Sequence, residues 1–345
     1  MKCLQHTQER INEPKHTNKE ISIIGVSVKE GQKKTGVEEA PNRFREGGLL
    51  NALKEYGWAV KDFGNLTKES MMEDIERELE DEEEYKYVLP NIEVLGVMNQ
   101  KLSQLANARS QEKNFVLTLG GDHGLATGSI SGMLETYPNL KVIWVDAHGD
   151  CNIPEISPSG NYHGMPVAHL LGWIPKGSMK SFNWLTPKLK PENIVYIGLR
   201  DLDKGEKVLL EKHSIKFYTP FDIEDVGGIG KVMEEALDYL QANDSDQNPI
   251  HISWDVDGCD PSFMPATGTK SRCGLTERES HFILQRTQRT GNLVSLDMVE
   301  INPELEPNNQ QREVLHGDNK LLKGTPSVVY ALEFILSAIG FSWRY

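Results

Sequence analysis

Three apolar runs in this chain end on the same kind of sequence. Phe115–Val116–Leu117–Thr118–Leu119 runs into Gly120–Gly121–Asp122–His123, and Val142–Ile143–Trp144–Val145 runs into Asp146–Ala147–His148–Gly149–Asp150. Ile250–His251–Ile252–Ser253–Trp254 runs into Asp255–Val256–Asp257–Gly258–Cys259–Asp260–Pro261. Short continuous apolar runs with polar ends read as strands buried in a parallel sheet. In such sheets the ligand site lies outside the carboxyl ends of the strands. Further strands are expected at Ile21–Val26, Trp58–Phe63, Ile194–Leu199, Ile215–Tyr218 and Asn292–Glu300. Helical patterns separate most of them. They are Pro41–Leu53 (weakened by Gly47 and Gly48), Ile92–Ala108, Thr127–Thr136, the spaced set Ile229, Val232, Met233, Ala236, Leu237 and Leu240, and Pro326–Ile339. Thr276, with Glu279 three residues on, has the pattern of a capping box and starts another helix. Eight strands, no repeat and no long linker predict one doubly wound α/β domain over 20–345, a three-layer fold with an eight-stranded, mainly parallel sheet. Residues 1–19 are expected to be a flexible lead-in.

The strand tips carry the chemistry. They offer four aspartates (Asp146, Asp150, Asp255, Asp257) and two histidines (His123, His148) to one place. Carboxylates gathered in this way repel one another and suffer desolvation unless cations sit between them. Six ligands exceed the four of a tetrahedral zinc, and the chain has no thiolate cluster. Oxygen-rich ligation with some imidazole suits a hard or borderline ion such as Mn²⁺. If two aspartates bridge, two ions fit at the roughly 3.5–4 Å spacing of binuclear hydrolytic sites. Metal-activated hydrolysis is the chemistry such a set predicts.

The remaining composition narrows the partners. A net charge of -14 over 345 residues argues against nucleic acid or an anionic membrane surface and favours a cationic substrate. No apolar run approaches the roughly 20 residues of a membrane span. The first twenty residues lack the apolar core of a secretory signal, so the cytoplasm is expected. Cys3, Cys151, Cys259 and Cys273 show no CxxC pairing and are read as reduced thiols.

Taken in order, GGDH, DAHGDCN, SGNYHGMP, YIGLRDLDKGE, SWDVDGCDPSFMPATGT, GLTERE and LDMVEINP resemble the ureohydrolases, and among them the arginases. The similarity runs from about Ile24 to the final helix. It implies a single α/β domain, usually assembled as a homotrimer, that splits L-arginine into L-ornithine and urea with two Mn²⁺ per subunit. By the same resemblance His123, Asp146, Asp150 and Asp255 hold one ion, and Asp146, His148, Asp255 and Asp257 the other, with Asp146 and Asp255 bridging. A metal-bridging hydroxide is then the nucleophile, and Asp150 accepts a hydrogen bond from it. His163 is implied as the proton shuttle and Glu279 as the carboxylate that binds the guanidinium. Thr269 supports that pocket. Asn152, Ser159 and Asn161, with Ser157 nearby, match positions that bind the α-carboxylate, and Asp203 and Glu206 match those around the α-amine.

Some positions depart from that pattern. Gly124 stands where Ser is common, and Gly149 where a small residue with a side chain is common. Neither is a ligand, so effects on affinity or rate are expected. Lys270 and Cys273 leave the loop before Glu279 open. Nine of the twelve residues Glu73–Glu84 are acidic, and this stretch is expected to be a solvated insertion with nothing apolar to hold it. Segment 303–325 is expected as an exposed loop. Agmatinase and formimidoylglutamase would share all six ligands. A deacetylase with a single zinc and a non-catalytic arginine-binding homologue are the other readings weighed.

Overall fold

A computed structural model describes residues 19–81, 83–242, 248–307, 311–316 and 320–341. The expected lead-in therefore lies, apart from Lys19, outside the described residues. All eight expected strands form: β1 (Glu20–Ser27), β2 (Ala59–Thr67), β3 (Phe115–Leu119), β4 (Lys141–Val145), β5 (Ile194–Ile197), β6 (Lys216–Tyr218), β7 (Ile250–Asp255) and β8 (Leu293–Val299). They build one sheet in the order β2-β1-β3-β8-β7-β4-β5-β6, with every pairing parallel. β2 runs past the expected Phe63 to Thr67 because its ladder with β1 fixes its length, not its largely exposed side chains.

Alternation along each strand sends side chains to two cores, one on each face of the sheet. Ile143 and Val145 of β4 join the first core, while Val142 and Trp144 join the second. The first core is closed by helices Ala40–Glu46, Leu49–Glu55, Ile229–Tyr239, Glu277–Gln288 and Pro326–Ala338. The second is closed mainly by Ile92–Gln111, Ala126–Thr136 and Pro166–Leu170. The helix expected over Pro41–Leu53 is broken in two, since Gly48 sits at φ 96, a conformation that ends a helix cheaply only for glycine.

Two expectations are corrected. Within the acidic stretch, Met72–Leu79 is a helix whose Ile75 is buried in the second core beside Met71, and Asp74 pairs with Lys101 at 2.5 Å. One apolar residue per turn was enough to dock it. Within 303–325, Arg312–His316 and Lys320–Gly324 form an antiparallel ribbon, with Leu322 buried in the first core. No helix among the described residues is long and apolar enough to cross a membrane.

Candidate metal centre and the residues around it

Sheet order brings the tips of β3, β8, β7 and β4 side by side. His123 follows β3, Asp146 to Asp150 follow β4, Asp255 ends β7 and Asp257 lies in the turn after it. All six side chains of the expected ligand set converge. His123 Nδ1 lies 3.2 Å from Asp146 Oδ2, 3.1 Å from Asp150 Oδ2 and 3.3 Å from Asp255 Oδ2. His148 Nδ1 lies 3.3 Å from Asp146 Oδ1 and 3.2 Å from Asp257 Oδ2. Asp146 thus turns one oxygen to each histidine and joins two ligand groups, His123–Asp146–Asp255 and Asp146–His148–Asp257. Asp255 turns Oδ2 to the first group, and its Oδ1 accepts the Asp257 N–H at 2.8 Å.

Surrounding atoms hold these side chains in place. His123 Nε2 meets Ser253 Oγ at 2.8 Å, and its ring stacks on Trp144 with centroids 4.2 Å apart. The Trp144 indole N–H donates to Asp146 Oδ2 at 3.0 Å, and the His148 N–H donates to Asp146 Oδ1 at 2.6 Å. The Thr269 hydroxyl donates to Asp257 Oδ2 at 2.7 Å. Asp150 has φ 47, a strained conformation for a non-glycine residue and a frequent mark of a functional turn.

The electrostatics call for cations. Burial, with the Asp146 carboxylate beside it, pushes the Asp150 carboxyl up to about 6. Burial and Asp257 push Asp255 well above the usual range. Burial also opposes ionisation of Asp146, but His123 and His148 outweigh it and hold that group well below the usual range. Without cations the repulsion is relieved by protons, held on His123 and His148 and on the raised carboxyls of Asp150 and Asp255. His123 Nδ1 is buried with three carboxylates within reach, yet it is without a hydrogen-bond partner. A lone pair aimed into converging oxygens suits a divalent ion, so the donor set fits the expected group.

The other expected site residues lie in three clusters, with Glu279 apart from them. His163 is anchored through its backbone N–H to Gly31 O at 3.1 Å and through Nδ1 to Glu300 Oε1 at 3.1 Å. Burial lowers its basicity, but Glu300 outweighs that and raises it to about 9. The turn 157–161 is held by Ser157 Oγ, which accepts from the Gly160 N–H, and by Ser159 Oγ, which accepts from the Asn161 N–H. Asn152 donates to Asp203 Oδ2 at 3.1 Å. Asp203 and Glu206 form a capping box at the start of helix Lys204–Lys212. Glu206 is buried, and its oxygens accept the N–H groups of Asp203 and Cys151. Glu279 stands apart at the start of helix Glu277–Gln288. There its Oε2 accepts the Thr276 N–H at 2.8 Å and the Thr276 hydroxyl at 2.9 Å.

Three residues at the site were missed in the sequence. Asp122, buried, accepts the N–H groups of Gly31 and Gly124, each at 2.9 Å. Glu300 supports His163. Arg200 donates to six backbone carbonyls, those of Gly198, Asp257, Gly258, Cys259, Ser271 and Arg272, and so ties the Asp257 turn to the loop before Glu279. All three stand inside or beside the motifs, and only the packing of the strands shows what they touch. At the departures, a Cβ on Gly149 would lie 3.0 Å from Glu206 Oε1, and one on Gly124 would lie 2.8 Å from Asp122 Oδ1. Glycine lets those buried carboxylates come close to the metal turns.

The model of the Arginase family matches residues 19–317. The arginase of Plasmodium berghei (strain Anka) is 41% identical, over 98% of this chain and 98% of its own length. The crystal structure of the Bacillus subtilis arginase superposes with a TM-score of 0.77 at 36% identity, covering 94% of this chain and 99% of that one. That of the Entamoeba histolytica arginase in complex with L-ornithine gives 0.75 at 29% identity, covering 94% and 98%. With the family model spanning most of the chain and these relatives matching nearly end to end, the chain belongs to the arginase family.

Proposed function

We propose that the chain hydrolyses L-arginine to L-ornithine and urea, using two Mn²⁺ ions per subunit held by His123, Asp146, His148, Asp150, Asp255 and Asp257. The observation that carries this reading is the convergence of Asp146, Asp255 and Asp257 with His123 and His148 in two ligand groups that share Asp146, with Asp150 Oδ2 3.1 Å from His123 Nδ1. Bound divalent ions supply Lewis acidity and bring the pKa of a water down to about 7.

The residues of the chain do the rest. A guanidinium carbon is resonance-stabilised, so the attacking oxygen has to be held in line with it. Asp150 accepts a hydrogen bond from the attacking oxygen. Glu279 receives the planar guanidinium fork; a carboxylate has two acceptor oxygens, and the helix cap uses Oε2, which leaves Oε1. Thr269 keeps Asp257 turned toward the site. The amine must leave the tetrahedral centre with a proton, and His163, raised to about 9, carries one at neutral pH. Asn152 and the turn with Ser157, Ser159 and Asn161 receive the α-carboxylate. Asp203 receives the α-amine, while Glu206 holds the Asp203 and Cys151 backbone for it. A homotrimer in the cytoplasm completes the reading.

The substrate is tested by comparing turnover of L-arginine with that of agmatine, which has the guanidinium but no α-carboxylate. The reading predicts a kcat/KM for arginine at least 100-fold higher. Equal turnover would remove the roles given to Asn152, Ser159, Asn161 and Asp203.

A further inference from the structure

We infer that Glu300 is the positioning residue of His163, fixing which ring nitrogen faces the substrate. The inference rests on the reading of His163 as the proton carrier. β8 lies beside β3, so a side chain at its tip reaches the turn that carries His123. Glu300 is 1% exposed and takes φ 62, a costly backbone for glutamate, held there by donation of its N–H to Gly121 O at 2.9 Å. Its Oε1 meets His163 Nδ1 at 3.1 Å and accepts the His123 N–H at 2.9 Å, and its Oε2 accepts the Gln32 amide at 2.8 Å. A carboxylate only accepts, so Nδ1 keeps its hydrogen toward Glu300 and Nε2 is the nitrogen that exchanges a proton with the leaving amine. Loop residues 31–32 complete the hold, since the His163 N–H donates to Gly31 O while Gln32 steadies Glu300. An orienting carboxylate behind a proton-transferring imidazole is a recurring arrangement of hydrolytic sites.

The test is a double-mutant cycle at saturating Mn²⁺ with Glu300→Gln, His163→Asn and the pair, reading kcat and KM for arginine together with bound metal. Glu300→Gln is expected to lower kcat 10- to 100-fold, with KM within about twofold and metal content unchanged. In the His163→Asn background the same change is expected to cost nothing further. If Glu300→Gln releases metal, Gln32→Leu takes its place, with an expected loss of 2- to 5-fold that again vanishes without His163. Equal losses with and without His163, or an unchanged kcat, would overturn the inference and leave Glu300 a brace for the His123 turn. A fully active His163→Asn would instead remove the proton carrier itself, and the inference with it.

Discussion

At the scale of single residues, Glu279 serves as a helix cap through Oε2, and the proposed function gives its other oxygen to the substrate. The two uses separate experimentally. Glutamine at the third helical position keeps a capping box, so Glu279→Gln is expected to leave thermal stability unchanged. On the proposed function it removes a charge-assisted bond to the guanidinium worth about 1.5–3 kcal/mol, so kcat/KM is expected to fall by about 10- to 150-fold. Unaltered kinetics in a folded Glu279→Gln protein would return Glu279 to the cap alone. His163 sets a pH dependence. Glu300, Asp150 and Asp122 face it and raise it above its ordinary 6.5 to about 9. Its ion pair therefore stabilises the fold fully below about 6.5 and is lost as pH climbs through about 9. In its proposed role of proton donor it stays charged through neutrality, so kcat is expected to fall as pH passes about 9. A descending limb near 6.5 would contradict this.

At the scale of elements, the strands that carry the site were legible because each is a short apolar run cut off by ligand-type residues. Asp146, His148 and Asp150 could be read from one such end. The order of strands could not, since it depends on which edges pair, and this is why Glu300 was passed over although the end of β8 was marked. Glu279 was legible as a cap, and the capping box forms; its proposed part in substrate binding rests on the resemblance, since both uses ask for the same carboxylate. The acidic helix Met72–Leu79 was hidden by its charge, because Ile75 alone carries its burial. Ile75→Ala is expected to cost about 2–4 kcal/mol of local stability and to leave urea release untouched. Hydrogen exchange confined to residues 69–81 would show this, and a loss of activity would contradict it. The ribbon of Arg312–His316 and Lys320–Gly324 went unseen because charged residues flank its short apolar pairs, and among its described side chains only Leu322 is buried while Val314 packs partly against the same core.

At the scale of the whole molecule, four buried aspartates at the centre of one sheet link metal content to stability. Ions that bind only the folded state stabilise it by about 2.7 kcal/mol at a concentration 100 times their Kd. Chelation is therefore expected to lower the melting temperature by several degrees, and Mn²⁺ to restore it. An unchanged Tm would mean that the carboxylates tolerate one another without cations. The central claim is a pair of divalent ions at the tips of β3, β4 and β7, and the most direct measurement counts bound manganese and released urea in the same titration of metal-stripped protein. The account predicts that urea release from L-arginine is absent at the start and reaches its plateau as the second ion per chain binds. Full release from the stripped protein, or a plateau at one ion, would contradict it.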